Sequence, residues 1–89
     1  MLSLSTSTRI FIAIDATDMR KGFDGLCGLV SSKLQQDPLS GALFLFVNRR
    51  RDRLKILYWD GDGLAIWYRR LEQGTFQLPS CEQEATAVQ

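Results

Sequence analysis

Arg49-Arg50-Arg51, then Arg53 and Lys55, then Arg69-Arg70 form the densest group of chemistry-bearing side chains in this chain. Cations at that spacing suit phosphate oxygens, which a guanidinium meets with a rigid fork of N–H donors. Within Arg49 to Arg70 only Asp52, Asp60 and Asp62 oppose these seven, so the stretch carries +4 while the whole chain carries +1 and the remainder −3. Four rings, Tyr58, Trp59, Trp67 and Tyr68, run through the same stretch. Rings beside cations can stack bases; rings on a hairpin can equally be core or interface, and the arginine run can be a solvated loop.

Catalysis has little to work with. The chain has no histidine, which removes the usual general base and the commonest metal ligand. Asp15, Asp18, Asp60 and Asp62 are the clustered carboxylates, and the last two fall in a turn where Asp is favoured for backbone reasons. A two-metal site needs carboxylates converging from separate elements, and Asp15 would approach Asp60 only if the first and third strands ended on the same side. The serines have no histidine to activate them, and Cys27 falls on an apolar helix face as a small core residue. The expectation is a protein that is not an enzyme, with no catalytic residue, no metal and no cofactor.

At 89 residues the chain makes one domain, small enough that partners often complete the core. No apolar run approaches the roughly 20 residues needed to span a bilayer, and MLSLSTSTR lacks the pattern of a secretion signal. Cys27 and Cys81 have neither metal-ligand spacing nor a disulfide framework around them, so a cytoplasmic location is expected.

The elements that must position the cations follow from pattern. Arg9 to Ile14 is β-branched and aromatic, and reads as a strand. Thr17 or Asp18 offers an N-cap. Beyond it Phe23, Leu26, Cys27, Val30 and Leu34 recur as one helical face of about 15 residues, with Asp24, Ser31, Ser32 and Gln35 on the solvated side. Gly22, Gly25 and Gly28 weaken this helix by roughly 0.8 to 1 kcal/mol each, either to let its backbone approach the sheet or as a tolerated weakness. Asp37-Pro38 and Ser40-Gly41 turn the chain into Ala42 to Val47, a continuous apolar run expected inside the sheet, covered on both faces. Asn48 to Asp52 is a basic bend, Arg53 to Asp60 a third strand, Gly61 to Gly63 a tight turn and Leu64 to Leu71 a fourth strand.

The fold class is therefore α+β in the order β-α-β-β-β, one helix packed on a small, mostly antiparallel four-stranded sheet. Residues 1–8 are expected to be flexible, 9–79 to form the domain, and 80–89 to be a disordered tail. A helix of about 15 residues is roughly 22 Å long and 10 to 12 Å wide, whereas four strands about 4.8 Å apart make a sheet nearly twice that width. Strong curling, a second copy, another protein or nucleic acid must cover the rest. Hairpin register decides what is left open: a three-residue turn would set Lys55, Leu57, Trp59, Ala65, Trp67 and Arg69 on one face, while a two-residue turn would cross the parities and make the faces more alike.

Four stretches carry a family resemblance: Asp18 to Leu26 (DMRKGFDGL), Asp37 to Phe46 (DPLSGALFLF), Asn48 to Gly63 (NRRRDRLKILYWDGDG) and Trp67 to Gly74 (WYRRLEQG). In order and spacing they resemble the small accessory protein encoded by the second open reading frame of the insertion-sequence sixty-six family, often called TnpB and distinct from the RNA-guided nuclease of that name. The likeness spans roughly residues 8 to 79. It implies a bacterial protein that assists transposition while a separate, larger transposase performs the strand chemistry, and it brings no catalytic residues with it. Family members continue past Phe76 to Pro79 with a further segment, so a chain ending at Gln89 is expected to be a shortened copy.

Two principal functions are thus expected. One is weak DNA binding, of low sequence specificity, through Arg49, Arg50, Arg51, Arg53, Lys55, Arg69 and Arg70 within a transposase complex. The other is an adaptor or homodimerisation module that docks through Tyr58, Trp59, Trp67 and Tyr68 without touching DNA. A metal-dependent nuclease built on Asp15 and Asp60 is the outsider.

Overall fold

The computed structural model describes residues 8–78. The expectations for residues 1–7 and for the tail 80–89 lie outside that range. Five elements follow in the order β1 (Ile10–Ile12), α1 (Phe23–Ser32), β2 (Leu43–Val47), β3 (Arg53–Trp59) and β4 (Leu64–Arg70). They form one helix and a four-stranded sheet in the order β1-β2-β3-β4. Only β1 and β2 are parallel, with Phe11 beside Phe44; both later pairings are antiparallel. The α+β expectation holds, and β2 lies inside the sheet as its unbroken apolar sequence required.

Alternation sorts the side chains into two cores. On the helix side Leu26 and Val30 are fully enclosed against Phe11, Phe44, Phe46 and Leu57, with Phe11 and Phe44 stacked at 5.4 Å. Each such side chain contributes about 1.5 to 3 kcal/mol on leaving water, which offsets a helix carrying two glycines inside its ten residues. The opposite face buries Leu43, Val47, Leu54, Ile56 and Tyr58. Part of the cover expected from curling or a partner comes from the chain itself. The segment after β4 returns, and Phe76 and Leu78 pack on this second face.

The connection into α1 differs from the sequence reading. Neither Thr17 nor Asp18 caps the helix; its N-cap is Gly22, without a side-chain hydrogen bond. Thr17 is buried, and its amide donates to the Val47 carbonyl at 2.8 Å, continuing along β2 the side that β1 pairs with. Asp18 closes a local turn by accepting the Arg20 amide at 2.9 Å and pairing with its guanidinium at 2.7 Å. Both residues are thus occupied several positions before the helix starts. Phe23, assigned to the buried face, is 47% exposed. Helical spacing sets the direction of a side chain but not whether a strand lies beneath it, and at the first helical residue half the ring stays open.

The glycines do not let α1 approach the sheet. A Cβ on Gly28 would meet nothing within 4 Å, and one on Gly25 would touch only the Lys21 side chain. The weak helix is simply tolerated, so Gly28→Ala is expected to raise stability by about 0.8 to 1 kcal/mol in urea unfolding. The Arg20 side-chain hydrogen bond, followed by the Arg20 amide, lowers the Asp18 carboxyl from 3.8 to about 2. Because folding lowers it, the benefit of this turn is complete above pH 3.8 and is lost as pH falls toward 2. Carbon-detected NMR titration should find that midpoint, and Arg20→Ala, which removes the guanidinium but keeps the amide, should raise it only part of the way toward the ordinary carboxylate range.

Candidate nucleic-acid interface

The hairpin of β3 and β4 closes through two residues. The Asp60 amide donates to the Gly63 carbonyl at 2.8 Å, and Gly61 takes a φ of +88° that favours glycine. Tyr58 then faces Ala65, Ile56 faces Trp67 and Lys55 faces Tyr68. This is the crossed-parity alternative. No single face carries Lys55, Leu57, Trp59, Ala65, Trp67 and Arg69 together: the first three look toward α1 and the last three away from it.

The same register brings the separated cations together. Arg53 lies directly opposite Arg70, and Leu54 opposite Arg69. Arg53 also begins β3 immediately after the bend, so Arg49, Arg50, Arg51, Arg53, Arg69 and Arg70 all gather at one end of the sheet. They share an end rather than a face. Arg53 and Arg70 are on the helix side, Arg69 is on the other, and Arg49 to Arg51 project from the bend, all three exposed. Arg70 is paired with Glu72 at 2.9 Å.

Backbone bonding holds the bend that presents the arginines. The Arg51 amide donates to the Asn48 carbonyl at 3.0 Å and the Asn48 amide to the Arg53 carbonyl at 3.2 Å. The Asn48 side chain fills the loop: its Oδ1 accepts the amides of Asp52 and Arg53, both at 3.0 Å, and its Nδ2 donates to Asp52 Oδ1 at 2.7 Å. From outside, the amides of Leu71 and Phe76 donate to the carbonyls of Asp52 and Arg51, each at 2.7 Å. Arg51 sits at φ +61°, a left-handed conformation that a non-glycine residue adopts at a cost of about 1 to 2 kcal/mol.

Lys55 has a different setting from the arginines. Its ammonium donates to the carbonyls of Met19 at 2.8 Å and Lys21 at 2.9 Å and rests 4.8 Å from the centre of the Tyr68 ring. It ties the loop before α1 to the sheet. Tyr68 is 48% exposed, and its hydroxyl accepts from Arg53 Nη1 at 3.2 Å. Of the other rings, Tyr58 is buried, Trp67 packs half-buried on the second core, and Trp59 is half-buried at the turn end of β3.

The carboxylates do not converge as a nuclease would need. β1 runs parallel to β2 and β3 runs against it, so Asp15 after β1 and Asp60 after β3 lie at opposite ends of the sheet. Among the described residues no three His, Cys, Asp or Glu groups are placed to hold a metal ion. Cys27 is free, and burial followed by the Asp24 charge pushes its thiol pKa up, away from the reactive thiolate. A cavity of about 130 Å³ opens beside the β1–α1 connection, with Lys33 and Asp15 paired at 3.5 Å among its lining residues. It is smaller than the roughly 300 to 1,000 Å³ typical of small-molecule sites. Among the described residues no helix is long and apolar enough to cross a membrane.

Sequence reasoning did not single out Asn48 or the returning Phe76 segment. An asparagine opening a turn of charged residues is the available signal for the first; the second is a contact between distant residues with no local pattern.

Comparison with known proteins gives a consistent set of matches. A family model described as IS66 Orf2 like protein matches residues 8–89, to the end of the chain. The uncharacterized protein y4jC of Sinorhizobium fredii is 40% identical over 85 residues, 96% of this chain and 73% of that protein. Uncharacterized protein y4hO of the same organism is 40% identical over 88 residues, 99% of this chain and 76% of its own. No solved structure gives a significant match.

The bend yields two opposite mutational effects. Asn48→Ala removes three hydrogen bonds and should cost about 2 to 3 kcal/mol. Arg51→Gly relieves the left-handed backbone and, after the flexibility glycine adds to the unfolded chain, should gain about 0.5 to 1 kcal/mol. Urea unfolding of both variants measures each sign.

Proposed function

The chain belongs to the IS66 Orf2-like family, and on that premise we propose that it is a non-catalytic accessory protein of DNA transposition that works beside the element's transposase and holds DNA phosphates with arginines at one end of its sheet. One observation carries the reading: the β3–β4 register sets Arg53 against Arg70 and beside the Arg49 to Arg51 bend, gathering six cations that lie up to 21 positions apart in sequence. Asp52 and Glu72 are the nearest acidic residues in sequence, one bonded to Asn48 and the other to Arg70, and Asp15 and Asp18 at the same end are paired with Lys33 and Arg20. The end as a whole is basic.

Binding of this kind is weak in isolation. With a net charge of +1 the chain has little long-range attraction for a polyanion, and only the local end of the sheet draws phosphates. Such a module suits a larger complex, in which the transposase supplies sequence recognition and chemistry. Phosphate contacts position a protein without reading bases, so low sequence specificity follows. The setting we propose is bacterial and cytoplasmic.

A second reading, an adaptor with no DNA contact, draws on the half-open Tyr68 ring and the unpaired edge of β4. Titration of labelled duplex at two salt concentrations separates them. If four cations touch phosphates, the slope of log affinity against log salt should be about −3.6, and the triple variant of Arg49, Arg50 and Arg51 to Ala should reduce it toward about −0.9. No binding to duplex at low salt would contradict the DNA reading.

A further inference from the structure

β4 is the long edge of the sheet. It has seven residues, against three in β1 at the other edge. The Asp60–Gly63 and Leu71–Asp52 hydrogen bonds establish that odd-numbered residues of β4 point their backbone groups toward β3. The amides and carbonyls of Leu64, Ile66, Tyr68 and Arg70 therefore point outward, and none has a partner among the described residues. An open edge of this length, without proline, is a template for another strand.

We propose that this edge pairs with β4 of a second copy, antiparallel, to make a continuous eight-stranded sheet. Charge along the strand selects the partner and its direction. β4 begins beside the acidic turn of Asp60 and Asp62 and ends in Arg69-Arg70, so an antiparallel copy sets each acidic end against a basic end, whereas a parallel copy sets like against like. Backbone bonding requires an outward-facing residue opposite an outward-facing residue. Centring the two-fold on Ile66 meets that requirement, brings Asp62 of one copy beside Arg70 of the other twice, and sets small Ala65 against bulky Trp67. Centring it on Trp67 would instead bring Asp62 toward Glu72. The pairing engages Arg70 but no other cation of that end, so Arg49, Arg50, Arg51, Arg53 and Arg69 stay open, and the inference does not rest on DNA contact.

Sedimentation equilibrium of the full chain without DNA tests this directly. Wild type should associate reversibly to a dimer. Asp62→Arg and Arg70→Glu should each raise the dissociation constant about tenfold, since each creates two like-charge contacts, and the double variant should return close to wild type. Asp62 and Arg70 of one chain are roughly 25 Å apart along β4, so rescue can only come from contact between copies. A wild type that stays monomeric at all concentrations overturns the proposal, as it would if the edge instead took up a strand of the transposase. Association that ignores both single reversals, or a double variant weaker than either, overturns it as well.

Discussion

The hydrogen bond from the Asp60 amide to the Gly63 carbonyl closes a two-residue turn, and the placement of every side chain on β4 depends on it. A slip of one residue would exchange the faces of the strand. Trp67 would leave the second core, where it packs with Ile56 and Tyr58, and Ile66 would leave the helix side. Burial on both faces therefore defends one register. That register also decides that Arg70 comes to rest against Arg53.

Like charges placed directly opposite each other on a sheet destabilise it. The structure keeps Arg53 and Arg70 together by giving each an oxygen partner, the Tyr68 hydroxyl for one and the Glu72 carboxylate for the other. The adjoining bend carries a second local cost at Arg51, whose left-handed backbone is held by Asn48 from within and by the Phe76 amide from outside. Residues in costly conformations persist where the surroundings over-determine them. Here the result is a rigid loop that projects three exposed arginines, in a chain whose opposite end carries Asp60 and Asp62.

Most of the fold was legible because its signals are local. The ALFLFV run required an interior strand, the DGDG turn a hairpin, and the spacing of Leu26 and Val30 a helix face, although α1 ends at Ser32, short of Leu34. Features resting on distant contacts were not legible: Thr17 serves a β2 carbonyl instead of capping α1, Phe76 and Leu78 return to cover the second face, and Lys55 ties down the loop at Met19 and Lys21. The arginines were visible by composition, but their convergence depended on a register that glycines at positions 61 and 63 left open between two turn lengths.

Residue-resolved NMR of the full chain during titration with a short duplex tests the central claim, that the bend end of the sheet is the DNA-contacting surface. Signals from the Arg49 to Arg53 backbone and the Arg69 side chain should shift together and recover with added salt, while Ser40 and Gly41, before β2 at the far end of the sheet, stay unchanged. Shifts confined to the far end or to the open edge of β4, or no shift at all at low salt, would contradict it.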